Sequence, residues 1–130
     1  AWGRISNVVT AQPTITFALR WGGVAGTVLC KTAALSCSAT AFTNAIWHAY
    51  IKITTRVNGA SGSLFAFGEL SAGNLVSPGG NLMGSAGALT PAAVTVDLSV
   101  DKALSITAQW GTSNASNSIQ GHNYYGVSLN

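Results

Sequence analysis

The strongest constraint on this chain is an alternation that runs from Ile46 to Val57. Trp47, Ala49, Ile51, Ile53, Thr55 and Val57 fall on one parity, and His48, Tyr50, Lys52, Thr54 and Arg56 on the other. Successive side chains of an extended backbone point to opposite sides, so a period of two spells a long strand with one buried face and one face that is wet or docked. Asn58-Gly59 ends the run, a dipeptide suited to a tight hairpin turn. Ser63 to Leu70 is the expected return strand.

The same period recurs along the chain. Thr14 to Trp21 alternates Ile15, Phe17, Leu19 and Trp21 against Thr16, Ala18 and Arg20, and Gly22-Gly23 closes it before a strand at Ala25 to Lys31. Ile5 to Thr10 is a weaker first strand. Ala92 to Ser99 turns Val94, Val96 and Leu98 inward, and Val100-Asp101-Lys102 leads to Ala103 to Trp110, with Leu104, Ile106, Ala108 and Trp110 on one face. A last strand is expected over Ser118 to Leu129, where Tyr125, Val127 and Leu129 alternate. Gly73 to Thr90, rich in Gly, Ser, Asn and Pro, reads as the longest loop, with a short strand inside it at Leu82-Met83 and a tip free for contact. Helix signals are nearly absent, because Glu and Lys are scarce while Thr, Val, Ile and Gly recur. About eight strands with turn signals between them predict one all-β domain over residues 1–130, an antiparallel two-sheet sandwich of jelly-roll type. The start at Ala1-Trp2-Gly3, without an initiator Met, reads as a processed protein or, by preference, as part of a longer one.

Charge narrows the chemistry. Asp, Glu, Lys and Arg make up 7% of the chain, against about 25% in an ordinary soluble domain. The acids are Glu69, Asp97 and Asp101, and the imidazoles are His48 and His122. A serine hydrolase needs a His base and an orienting carboxylate beside its nucleophile, and no such grouping is visible. Asp97 and Asp101, the one near pair of carboxylates, read as strand-surface and turn residues and not as a glycosidase pair. A metal site would have to gather His48, His122 and Glu69, and none is expected; nor is any cofactor. The glycines of 79 to 87 precede no helix and carry no Lys, so they make no phosphate loop. The six cations are scattered, which speaks against nucleic-acid binding, and no apolar run is long enough to span a membrane as a helix. Cys30 and Cys37 fit no zinc or thioredoxin-like spacing. A disulfide would need their Cα atoms within about 7 Å; two small buried thiols are the preferred reading.

What remains is binding. Trp21, Trp47 and Trp110 fall on inward faces and read as core. Tyr50 points outward between His48 and Lys52. Such an aromatic on an uncharged sheet stacks on a sugar, lies in a subunit interface, where aromatics are enriched and charge is depleted, or is a scattered surface residue that needs no explanation. The overall shortage of charge favours the interface, with His48, Tyr50, Lys52 and Thr54 as its residues. Asn81, Asn123 and Tyr124 are the candidates for a ligand or receptor contact.

Two segments resemble small jelly-roll modules of tailed-phage virions. One is Asn44-Ala45-Ile46-Trp47 through Thr54-Thr55-Arg56-Val57-Asn58-Gly59-Ala60-Ser61-Gly62-Ser63; the other is Leu104-Ser105-Ile106-Thr107-Ala108-Gln109-Trp110-Gly111-Thr112 with Asn114-Ala115-Ser116-Asn117-Ser118-Ile119. In those modules a strand with Trp near its start ends in an Arg-x-x-Gly hairpin, and a Thr-x-Gln-Trp-Gly-Thr segment precedes an Asn-Ser/Thr-Ile run. The resemblance implies a capsid-decoration, head-fibre or tail-fibre component at the particle surface. It also implies a trimer like that of tumour necrosis factor, with itself and neighbouring virion proteins as partners and no catalytic residues. A carbohydrate-binding module that recognises a host-surface glycan is the alternative. A capsid shell protein is a further one, but it would need a basic arm that the scattered cations do not supply.

Overall fold

The long alternation becomes the spine of the larger sheet. A computed structural model describes residues 1–7, 12–76, 81–85 and 92–128. Its strands are β1 (Trp2–Asn7), β2 (Thr14–Trp21), β3 (Thr27–Lys31), β4 (Leu35–Ser36), β5 (Phe42–Val57), β6 (Gly62–Ala72), β7 (Leu82–Met83), β8 (Val94–Val96), β9 (Leu104–Trp110) and β10 (Ser118–Asn123). They form two antiparallel sheets. The larger runs β10-β1-β5-β6-β7, with β8 also on the free side of β6; the smaller runs β3-β2-β4, with β9 on the opposite side of β2. The protein is an all-β, two-sheet sandwich.

The sheets face each other through the parities that the sequence marks as apolar. Phe17 and Leu19 of β2 meet Trp47 and Ala49 of β5 and Leu64, Ala66 and Leu70 of β6, all buried. The hairpin from β5 to β6 turns at Gly59, whose φ of 95° lies in the left-handed region that glycine enters without steric cost.

Backbone hydrogen bonds join the two sheets along one edge. Lys31 of β3 and Gly84 exchange backbone hydrogen bonds of 2.8 and 3.1 Å, and Cys37 bridges to Leu75, with Val76 and Ser38 amides donating to the Ser36 and Asn74 carbonyls at 2.8 Å. At the other edge β9 pairs only with β2 and β10 only with β1, among the described residues. There the sheets are linked through the 111–117 connection.

Several expectations are corrected. The described residues form ten strands against the eight or so expected; β7 stands at the expected Leu82–Met83, whereas the two-residue β4 exists through its pairing with β2, not through a pattern of its own. β5 starts at Phe42, not Ile46. Asn44, with φ 55°, makes a bulge that lets the strand continue, and its amide donates to the Ser6 hydroxyl at 2.9 Å. β8 keeps only Val94–Val96 of the expected 92–99 strand. The last strand ends at Asn123, so Tyr124 to Ser128 are not strand although their side chains alternate. Trp21 and Trp110 are half-buried at the rim, and the Trp21 indole donates to the Asp97 carbonyl at 3.2 Å. Part of the first expected strand, the tip of the 73–90 loop and Leu129 lie outside the described residues.

Cys30 and Cys37 are free thiols buried in the core. Burial pushes the Cys30 thiol up to about 11, partly offset by a backbone hydrogen bond from Leu19, and burial also raises Cys37. The native state therefore holds these protons more tightly than the unfolded chain. Their contribution to stability is full below the ordinary thiol value near 9 and is lost as pH rises toward 11. A thiol-specific disulfide reagent at pH 8 should leave both cysteines unreacted in the native protein and titrate both in denaturant, as absorbance will show; rapid native labelling would contradict this placement.

Candidate functional site

The open edge creates a cleft between the sheets. Phe17 projects inward from β2 and Trp47 from β5, and their rings meet across the sandwich with centroids 5.1 Å apart and planes tilted by 51°. The Trp47 indole N–H donates to the Gln120 carbonyl at 3.1 Å, so its polar atom is satisfied and its ring is fixed. Beyond this pair the facing side chains shrink. β9 presents Ile106 and Ala108, and β10 presents Ile119 and Gly121, all lining a cleft of about 360 Å³. A Cβ added to Gly121 would meet no atom within 4 Å. Every apolar residue of β9 stays half-buried, because no third strand covers the gap.

Thr107, His122, Asn123 and Tyr124 also line the cleft. The Thr107 hydroxyl accepts from Arg20 Nε at 3.2 Å, and Arg20 in turn donates to the Gly26 carbonyl at 3.0 Å, which holds that wall in place. The His122 ring stacks on Trp2, with centroids 5.1 Å apart and planes 24° from parallel. Such a cleft can take up an apolar or aromatic body.

Asn123 and Tyr124 thus line one cleft. Asn81 does not join them. It precedes β7 at the far edge of the larger sheet, where its carbonyl accepts from the Leu70 amide at 2.8 Å. Four strand spacings, roughly 19 Å, separate the two edges. His48, Tyr50, Lys52 and Thr54 all lie exposed on the outer face of the larger sheet, opposite Ser71, Glu69, Phe67 and Phe65 of β6. Trp2 and Leu82 flank them on β1 and β7. Exposure there is high for apolar residues: 43% for Trp2, 64% for Ile46, 66% for Tyr50, 43% for Phe67 and 53% for Leu82. That is a row across the sheet, not an isolated aromatic.

Asp97 is exposed, and the hydroxyl and amide of Ser99 donate to its carboxylate and hold it below its ordinary value. It serves as a turn cap. Among the described residues no group of three His, Cys, Asp or Glu side chains could hold a metal ion, and no helix is long and apolar enough to cross a membrane.

Sequence reasoning placed Trp47 and Ile106 in the core and left Trp2 unassigned. The one sign of the cleft was small residues, Ala108 and Gly121, on strands that otherwise carry bulk inward. Comparisons with protein-family models, with curated proteins and with solved structures find no match to this chain.

Filling the cleft from its own wall should stabilise the fold. Gly121→Leu adds apolar area in open space and removes a strand glycine, for a gain of about 1–2 kcal/mol. Urea unfolding should show a higher midpoint at unchanged slope; a lower midpoint would mean that β9 and β10 leave no room.

Proposed function

We propose that this chain is a virion structural protein: a jelly-roll module at the particle surface, serving as capsid decoration, head fibre or tail fibre, that works by packing against copies of itself and neighbouring virion proteins. The observation that carries the proposal is the exposed row of Trp2, Ile46, Tyr50, Phe67 and Leu82 on the outer face of the larger sheet. A row of this kind, with few charges around it, is what subunit interfaces bury at their centres. The phage-module resemblance of residues 44–63 and 104–119 supports the same reading. Residues 44–63 build β5, its hairpin and the start of β6, and so carry much of that face. His48, Tyr50, Lys52 and Thr54 are the assigned contacts, and the expected assembly is a closed homotrimer. No residue has a catalytic part in this mechanism, and no cofactor is required.

Light scattering after size exclusion tests it. The wild type should run as a trimer at micromolar concentration. Ile46→Lys combined with Tyr50→Glu should give a folded monomer, because loss of a central aromatic costs about 2 kcal/mol or more, roughly a 30-fold weaker association. A wild type that stays monomeric would sink the proposal.

The cleft favours carbohydrate recognition as a second reading. Its lining includes the aromatic Tyr124 and the amide-bearing Asn123. A glycan array probed with the assembled protein should then show binders that Tyr124→Ala loses; an array without binders would remove this reading.

A further inference from the structure

Acids, cations and tryptophans are scarce in this chain, three, six and four of them, yet one of each lines a single concavity. Asp97, Lys102 and Trp21 border a second pocket, of about 360 Å³, between the β2–β3 hairpin and the connection from β8 to β9. Small-molecule sites span about 300–1,000 Å³, so the size is sufficient. Thr27 adds a hydroxyl to the lining, while Gly22 and Gly26 add no side chains. The walls are tied together. The Trp21 indole N–H donates to the Asp97 carbonyl at 3.2 Å, and the Gly22 and Gly23 amides donate to the Ala103 carbonyl at 2.9 and 3.2 Å. Arg20 Nη1 donates to the Gly26 carbonyl at 3.0 Å.

We infer that this pocket binds a neutral sugar, with the Trp21 ring against the apolar face of a pyranose, Asp97 accepting from its hydroxyls and Lys102 donating to them. This site needs no self-assembly, and it is not the cleft: Trp21 lies four residues beyond Phe17, roughly 13 Å along β2. Trp21 is half-buried and its one polar atom is already satisfied, so what it offers a ligand is ring surface. Ser99 donates twice to Asp97 Oδ1, and Oδ2 accepts from no described residue. A carboxylate only accepts and an ammonium only donates, so a ligand that uses both must carry donors and acceptors together. Hydroxyl groups do so without charge. A singly charged ligand would meet a like charge in Asp97 or in Lys102, which is costly. A pyranose supplies the remaining part, an apolar C–H face ringed by hydroxyls. Walls already fixed by hydrogen bonds need little ordering when the sugar enters.

The full chain is probed on an array of neutral, sialylated and amino-sugar oligosaccharides. The strongest neutral binder is then titrated into isotope-labelled protein. Among the indole N–H cross-peaks, the one missing from the Trp21→Phe spectrum should shift. Asp97→Asn keeps an acceptor for Ser99 but removes the carboxylate, and Lys102→Met removes the ammonium. Both positions are exposed, so both variants should fold, and each should weaken array binding about tenfold or more. An array without neutral binders, a Trp21 peak that stays still, or full binding by either variant would each overturn the inference. Binding lost by Tyr124→Ala and kept by Asp97→Asn would overturn it in favour of the cleft.

Discussion

The Phe17–Trp47 contact holds the two sheets at their working distance, and most of what is distinctive about the molecule follows from it. Each ring comes from the middle of a long strand, β2 in one sheet and β5 in the other. The indole lies beneath β1 and reaches the Gln120 carbonyl on β10, so one side chain spans three strands of its own sheet. Gly3 makes this possible. A Cβ there would come within 2.8 Å of Trp47 Nε1 and would collide with the Gln120 backbone. Gly3 is thus the reason β1 can lie between the indole and β10.

From that contact the sandwich closes on one side and gapes on the other. Toward β3 and β7, Leu29, Met83 and the two thiols fill the interior and the backbones of the two sheets pair directly. Toward β9 and β10 the inward residues become Ala108 and Gly121, too small to reach across. The cleft is therefore a packing consequence: bulk on one flank of a central aromatic pair and none on the other. It sits where, among the described residues, β9 and β10 each pair on one side alone.

A second surface is separate from the cleft. The outer face of the larger sheet carries Ile46, Tyr50, Phe67 and Leu82 in the open. With few charges to spare, the chain does not guard that face as sheet proteins commonly do, with lysines and glutamates at their exposed positions. Lys52 and Glu69 are the charges in its middle.

Local pattern and global fold agree closely in β2, β5, β6 and β9, where period-two alternation is long and uninterrupted. The physics of one buried and one open face writes itself into residue order there. That same order determined the all-β class, the poverty of ionisable groups, and the exposure of His48, Tyr50, Lys52 and Thr54. Other features were decided only by the tertiary structure. Leu35–Ser36 is a strand because β2 passes beside it; Asn44 continues a strand because Ser6 receives its amide; Tyr125 and Val127 alternate but pair with no strand among the described residues, and β10 stops at Asn123. The cleft belongs to this second kind. It lies between two edge strands that do not pair with each other, and such a gap leaves no period in the sequence. It depends on how far apart Phe17 and Trp47 hold the sheets, and that distance is a property of packing alone.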